Sequence, residues 1–186
     1  PWTGKTELLF SDKALTALIL PLFLEQLLSV LVGLSDSIMV AQVGEAAVSA
    51  VSLVDSIAIL LINIFNALAT GGAVVSGQYL GAKDKKEAAY AGRQMMQFMV
   101  WMSIAIMLLI YLGKYFILHT VFGSIEADVM ANCNTYLLIS AASIPFLGVY
   151  CGGAALFRAM GNSKTSMYVS CIMNVINVSG NAILVF

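Results

Sequence analysis

The chain has 186 residues, of which 60% are hydrophobic and only 10% are charged, and its mean hydropathy is +0.93. Soluble domains average about 45–50% apolar and about 25% charged residues, so this composition excludes a soluble globular protein and indicates a membrane protein. The net charge of −1 gives no information about a partner, and no basic face with interleaved aromatic residues indicates nucleic acid.

Five apolar segments of spanning length follow one another, since a membrane helix needs about 20 apolar residues. The sequence therefore predicts an all-α polytopic membrane protein. Because the chain begins without Met and ends inside an apolar run, we expect a fragment of a longer protein. Residues 1–13 are predicted to form an interfacial segment anchored by Trp2 and Phe10. The spanning helices are predicted near residues 14–40, 47–79, 91–117, 129–157 and 165–186.

The distribution of basic residues predicts the orientation. If the five segments alternate across the bilayer, Lys114 alone lies on one side, and the other Lys and Arg residues all lie on the opposite side. Cytoplasmic loops of membrane proteins carry the excess of Lys and Arg. We therefore expect a multi-pass protein of the cytoplasmic (inner) membrane whose N-terminus is cytoplasmic.

Small residues and prolines inside the segments indicate close helix packing and local bends. Gly148 and Gly152 form a GxxxG pair, which lets helix backbones approach one another in lipid. Pro21 and Pro145 each remove a helical hydrogen bond and favour a bend.

Three carboxylates interrupt the apolar segments: Glu25, Asp36 and Asp55. A charged group in hydrocarbon is costly, so such a residue usually faces protein or water. Eleven residues advance an α-helix by about 1100°, which places Glu25 and Asp36 within about 20° of each other on one helix face. Asp55 lies near the outer end of the second segment, where an interfacial position and a functional role are both open.

The fifth segment carries a row of amides at helical spacing, namely Asn174, Asn177 and Asn181, within about 60° on a helical wheel. These amides are either hydrogen-bonding contacts between helices or ligands of a cation in a wet cavity. Counted from the inner helix ends, Asn177 lies roughly 18 Å deep, Asn181 roughly 24 Å and Asp36 nearer 30 Å. A carboxylate facing amides could hold Na⁺ or a proton, since burial disfavours a charged carboxylate.

Other chemistry finds little support in the sequence. Cys133, Cys151 and Cys171 are widely spaced in or near apolar runs, which favours small buried residues over a disulfide or a metal site. His119 has no ligand partner at helical spacing. The sequence contains no hydrolase motif, no phosphate-loop motif and no CxxC motif. We therefore expect that the protein is not an enzyme and that it uses no cofactor.

Three stretches together resemble the MATE family of multidrug and toxic compound extrusion transporters. They are "PLFLEQLLSVLVGLSDSIMVAQVGEAAVSAVSLVDSI", "ALATGGAVVSGQYLGAKDKKEA" and "ALFRAMGNSKTSMYVSCIMNVINVSGNAILVF", and the likeness runs from Pro21 to Phe186. The resemblance implies twelve spanning helices in two six-helix lobes related by pseudo-twofold symmetry. This chain would be most of the N-terminal lobe, and its partners would be the missing C-terminal lobe and the lipid bilayer.

The same resemblance implies secondary active export of organic cations or drugs, driven by inward movement of H⁺ or Na⁺. Asp36 matches the acidic residue that the family uses for cation or proton coupling, and Asn177 and Asn181 match its polar pair in helix five. Many relatives carry Asp where this chain has Asn181, which weakens a two-carboxylate Na⁺ site. Glu25, Asn174 and Asp55 are candidate cavity-lining residues without a role implied by the family.

Two alternatives stay open from the sequence. A flippase for a lipid-linked oligosaccharide or peptidoglycan precursor should have a strongly cationic cavity, whereas these apolar segments contain acids and no interior Lys or Arg. A membrane scaffold without transport would need no aligned acids and amides at a common depth.

Overall fold

Every described element of regular structure is helical, which confirms the predicted fold class. The computed structural model describes residues 12–123 and 125–185, so the predicted interfacial segment lies almost entirely outside the described residues. The five α-helices are α1 (Asp12–Ala41), α2 (Glu45–Gly81), α3 (Lys85–Phe116), α4 (Ala127–Ala159) and α5 (Ser163–Val185), and a π-helical turn at Ile117–Val121 extends α3.

The helices are longer than the apolar segments from which they were predicted. For example, α3 begins at Lys85 because Asp84 caps it, with the Asp84 carboxylate accepting a hydrogen bond from the backbone N–H of Glu87 at 3.1 Å. Pro21 and Pro145 lie within α1 and α4, neither of which is interrupted. Four helices, α1 to α4, are long and apolar enough to cross a membrane. The fifth, α5, has 23 residues and carries the three asparagines.

Helices α2, α3 and α4 pack around one hydrophobic core, which we call the bundle. Phe65 of α2 and Met99 of α3 are completely buried there, and Leu137 of α4 is 2% exposed. The predicted close approach occurs at Gly148, where an added Cβ would lie 2.8 Å from the Cβ of Ser103 on α3. Dense packing of this kind holds helices together in lipid, where little hydrophobic force acts between them.

Helices α1 and α5 pack chiefly against each other and form a second unit, which we call the α1–α5 pair. Among the described residues, none from α1 or α5 belongs to the core of the bundle. Only 6% of the most apolar stretch of α1 is buried, compared with 39% for α4. The pair therefore contacts the bundle less extensively than the three helices of the bundle contact one another.

Candidate functional site

Asp36 of α1 and two asparagines of α5 form one chain of hydrogen bonds. The side-chain amide of Asn181 donates to Oδ1 of Asp36 at 2.8 Å and to Oδ1 of Asn177 at 3.2 Å. Asn177 and Asn181 are one helical turn apart, so their side chains lie on the same face of α5. The structure therefore brings together the three residues that the sequence singled out for cation or proton coupling.

The contact between Asp36 and Asn181 corrects the depth estimate, which placed Asp36 further out than Asn181. That estimate measured both helices from a common inner plane. Asp36 lies further from the start of α1 than Asn181 lies from the start of α5, so α1 extends beyond α5 at their N-terminal ends. An offset between two helices of this kind cannot be read from either helix alone.

The serines beside Asp36 hydrogen-bond within their own helix. Ser35 donates to the carbonyl of Leu31 at 3.0 Å, and Ser37 donates to the carbonyl of Gly33 at 2.9 Å. Serine hydroxyls commonly satisfy themselves in this way inside helices. In these bonds neither hydroxyl donates to Asp36, which keeps its contact with Asn181.

A second carboxylate lies on the opposite wall of the site. Oδ1 of Asp55 on α2 accepts a hydrogen bond from the hydroxyl of Tyr136 on α4 at 3.1 Å. The bond ties the carboxylate to the bundle at the level of Asp36. The interfacial and the functional interpretation of Asp55 were both open from sequence, and the residue in fact borders the same cavity as Asp36.

A cavity of about 420 Å³ separates the α1–α5 pair from the bundle at this point. Among the described residues that line it, none is a lysine or an arginine, whereas two are aspartates. Small-molecule sites commonly have volumes of about 300–1,000 Å³ and a few polar groups at defined positions. The lining residues are Gly33, Asp36, Ser37, Met39, Val40, Val51, Asp55, Tyr136, Asn177 and Asn181.

Two of the candidate cavity-lining residues, Glu25 and Asn174, lie elsewhere. Glu25 shares a helix face with Asp36 as predicted, but it is about three turns away and contacts other partners. Its carboxylate accepts hydrogen bonds from Tyr150 of α4 and Ser166 of α5. The side-chain nitrogen of Asn174 is buried without a hydrogen-bond partner. Neither residue lines the cavity that borders Asp36.

The sequence reasoning missed Tyr136 and Tyr150, which contact the carboxylates from α4. The two tyrosines are 14 residues apart, which places them within about 40° of one another on the helix. That spacing is the one signal that could have found them, because it repeats the polar face seen on α1 and α5. The spacing of the two tyrosines identifies them as site residues only when the helices that they contact are known.

The described residues offer little for a metal centre. Within residues 12–123 and 125–185, no group of three or more His, Cys, Asp or Glu side chains could hold a metal ion. Cys133 and Cys151 are buried, as predicted, whereas Cys171 is only half-buried, and all three are free thiols. His119 stacks on the ring of Tyr115 with centroids 4.2 Å apart.

Comparison with known families identifies the chain. The family model described as MatE matches residues 21–183, which is most of the sequence. This chain belongs to the MatE family. It is thus a multi-pass protein of a membrane transporter family, and the resemblance carried by its sequence stretches is confirmed.

Two curated proteins of Bacillus subtilis (strain 168) are similar to this MatE chain. One, the uncharacterized transporter YisQ, is 28% identical over 173 residues, which cover 93% of this chain and 38% of YisQ. The other, the probable multidrug resistance protein YoeA, is 25% identical over 170 residues, which cover 90% of this chain and 36% of YoeA. The chain thus spans little more than a third of the relatives it matches.

Two solved structures share the fold of this MatE chain. One is an outward-facing multidrug resistance MATE family transporter of the MOP superfamily, with a TM-score of 0.84 and 18% identity. The other is a MOP superfamily transporter from Pyrococcus furiosus Vc1, whose reverse polarity of the binding pocket suggests a different function, with a TM-score of 0.83 and 18% identity. In both cases 94% of this chain covers 38% of the solved chain.

Proposed function

We propose that this chain is the N-terminal part of a secondary active antiporter that exports organic cations or drugs across the cytoplasmic membrane. Inward movement of H⁺ or Na⁺ drives the export, and the N-terminus is cytoplasmic. The remainder of the full-length protein supplies a second, related lobe. The observation that carries the proposal is the hydrogen-bonded chain of Asp36, Asn181 and Asn177 on the wall of a cavity that also exposes Asp55.

The charge of the cavity supports a cationic substrate. Asp36 and Asp55 face it from opposite walls, and the other lining groups are amides, hydroxyls and apolar side chains. In a low-dielectric surrounding a positive ligand is attracted strongly to two carboxylates, and a negative ligand is repelled. The apolar part of the wall suits the hydrocarbon rings of a lipophilic cation.

The orientation of the Asn181 amide favours H⁺ over Na⁺ as the driving ion. Sodium, a hard cation, needs oxygen ligands, yet the Asn181 nitrogen donates to the oxygens of both Asp36 and Asn177. To bind sodium, the Asn181 amide would have to turn its oxygen toward Asp36, whereas a proton can bind the second oxygen of Asp36 without moving the amide. An aspartate at position 181 would instead offer two more oxygens.

Coupling between ion and substrate follows from their competition for Asp36. Binding of a positive ion neutralises the carboxylate and lowers the affinity of the cavity for a cationic drug. The ion also alters the contact between α1 and α5, so it binds the two conformations of the transporter with different affinity. Coupling free energies of this kind are typically about 1–3 kcal/mol.

A flippase for lipid-linked anionic precursors is the main alternative. Its cavity should attract phosphate groups, and phosphate recognition in proteins relies on Arg and Lys side chains. The acidic residues of this cavity argue against that substrate. A membrane scaffold without transport activity would not require two carboxylates on the wall of one cavity. The presence of Asp36 and Asp55 there argues against the scaffold.

The proposal is tested with the full-length protein in proteoliposomes loaded with ethidium, a lipophilic organic cation. A pH gradient and a Na⁺ gradient are imposed in separate assays, and efflux is measured by fluorescence. We expect ethidium efflux that requires one of the two gradients and is strongest with the pH gradient. Efflux with neither gradient, together with movement of an anionic lipid-linked probe, would support the flippase instead.

A further inference from the structure

A second cavity lies within the bundle, next to the cavity that borders Asp36. It has a volume of about 270 Å³ and is formed by α2 and α4, with Ile110 of α3 also contributing. Among the described residues that line it, Asp55 is the one charged side chain. Most of the others are apolar, and they include Ala58, Leu61 and Ile62 of α2 and Ile144 and Leu147 of α4. We call this cavity the α2–α4 chamber.

Asp55 and Tyr136 line both the α2–α4 chamber and the cavity that borders Asp36. Their side chains are joined by the hydrogen bond of 3.1 Å from the tyrosine hydroxyl to Oδ1 of Asp55, which therefore lies at the boundary between the two cavities. On one side of that boundary are Asp36 and the amides of α5, and on the other side are mainly hydrocarbon side chains. The carboxylate of Asp55 thus stands between a polar and an apolar compartment.

The α2–α4 chamber extends away from Asp55 along the helices of the bundle. From Asp55 to Ile62, the last lining residue of α2, the helix rises by about 10 Å. Two residues that line the chamber, Ile110 and Ile144, belong to the packed core and are only 7% and 5% exposed. None of the described lining residues belongs to α1 or α5, so the walls of the chamber are part of the bundle.

We propose that the α2–α4 chamber binds the hydrocarbon part of an amphiphilic cation whose positive charge lies beside Asp55 and Asp36. The inference rests on the proposed transport function and narrows its substrates to cations that carry an extended apolar group at one end. Apolar cavities exclude water and take up apolar ligands, whereas a positive charge is costly to bury away from a carboxylate. A small hydrophilic cation has no part that enters the chamber.

The chemistry of the ligand is tested with alkyltrimethylammonium ions, which carry one charge on chains of different length. Each ion, from tetramethylammonium to octyltrimethylammonium, displaces ethidium from the full-length protein in lipid nanodiscs, and fluorescence polarisation reports the displacement. We expect the affinity of the wild-type protein to rise about three- to fourfold with each added methylene, because each methylene leaves water for an apolar wall. The rise should stop when the chain reaches the end of the chamber.

A matched pair of variants locates the binding of the chain. Ala58→Phe fills the α2–α4 chamber, and Ala67→Phe adds the same side chain at an exposed position of α2 that does not line it. In Ala58→Phe we expect octyltrimethylammonium to bind at least about tenfold more weakly, with a loss that becomes smaller as the chain is shortened. Ala67→Phe should keep the chain-length dependence of the wild-type protein. Partition of each ion into the lipid is the same for both variants, so it does not affect the comparison.

Loss of the chain-length dependence in Ala58→Phe but not in Ala67→Phe supports the proposal. If thermal melting shows that Ala58→Phe does not fold, Ile62→Trp fills the chamber from a position that is 36% exposed and replaces it in the assay. The same chain-length dependence in both variants overturns the proposal, as expected if a lipid chain or another segment of the full-length protein occupies the chamber.

The two proposals fail in different ways. If the variants show the same chain-length dependence while Asp36→Asn abolishes displacement by tetramethylammonium, the chamber assignment is wrong and the proposed cationic substrate is supported. If the wild-type protein binds neither ethidium nor any ion of the series, the proposed cationic substrate is wrong, and the chamber assignment falls with it.

Discussion

The bundle and the α1–α5 pair are held in place by different interactions. The bundle buries Phe65 and Met99 completely and lets α3 and α4 approach closely at Gly148. Among the described residues the pair adds nothing to that core. Asp36 and the amides of α5 join its two helices to each other, and Glu25 accepts a hydrogen bond from Tyr150 of the bundle. The comparison indicates that apolar packing holds the bundle together and that side-chain hydrogen bonds join α1 to α5.

This division has a consequence for the cavity. One wall belongs to the rigid bundle, with Asp55 fixed by Tyr136, and the other belongs to the pair, with Asp36 fixed by Asn181. A shift of the pair alone changes the distance between the two carboxylates. The cavity therefore changes when one of the two helical units moves against the other.

The largest predicted effect on stability comes from the bundle core. Phe65→Ala should lower the free energy of unfolding by about 3–5 kcal/mol, because it leaves a cavity among fully packed side chains. The matched variant Phe23→Ala on α1, where the side chain is 61% exposed, should change it by much less. Thermal melting of the full-length protein in detergent measures both. Equal losses would remove the contrast between the two units.

Close helix packing gives the next largest effect. Gly148→Ala should cost about 1–3 kcal/mol, because the new methyl group would overlap Ser103 and force α3 and α4 apart. Gly180→Ala on α5 is the matched control, since an added Cβ there meets nothing within 4 Å. The same melting assay applies. A lower melting temperature for Gly180→Ala than for Gly148→Ala would contradict the assignment of stability to the bundle.

A change of ion preference sharpens the role of the pair. Asn181→Asp replaces an amide donor with two carboxylate oxygens and should raise the apparent Na⁺ affinity about tenfold, which corresponds to about 1.4 kcal/mol. Ethidium efflux measured against external Na⁺ concentration reports this shift. Asn174→Asp introduces the same charge on the same helix away from the cavity and should give no Na⁺ response. A Na⁺ response in both variants would argue against a specific site.

The smallest predicted effect concerns the bundle wall of the cavity. Tyr136→Phe removes the hydroxyl that fixes Asp55 and should weaken ethidium binding by a few-fold, since one hydrogen bond contributes about 0.5–1.5 kcal/mol net. Tyr111→Phe loses a comparable hydrogen bond, to the carbonyl of Leu138 within the bundle, and serves as the control. Equilibrium binding measured by fluorescence polarisation distinguishes them. Unchanged binding in Tyr136→Phe would argue against a role for the Asp55–Tyr136 hydrogen bond in the site.

Helical periodicity explains how much of the site was predictable. The spacing of Asn177 and Asn181 and the position of Asp36 fix which face of each helix is polar, so their meeting could be expected from the sequence. The same periodicity correctly placed Glu25 on the face of Asp36. It could not give the offset between α1 and α5, and therefore it could not show that Glu25 meets Ser166 instead of the cavity.

Contacts between distant segments account for what was missed. Tyr136 meets Asp55 across 81 positions of the chain, and Tyr150 meets Glu25 across 125. An isolated tyrosine in an apolar helix gives no sign of its partner, because a tyrosine packs equally well as a largely apolar side chain. The fold class, by contrast, followed from composition and segment length alone.

The measurement that tests the account most directly is ion-coupled ethidium efflux by Asp36→Asn in proteoliposomes, with thermal melting of the same preparation. Asparagine has nearly the shape of aspartate, but its side chain carries no charge and does not take up or release a proton near neutral pH. The account predicts loss of gradient-driven efflux with an unchanged melting temperature and normal membrane insertion. Normal efflux by the folded variant would contradict it.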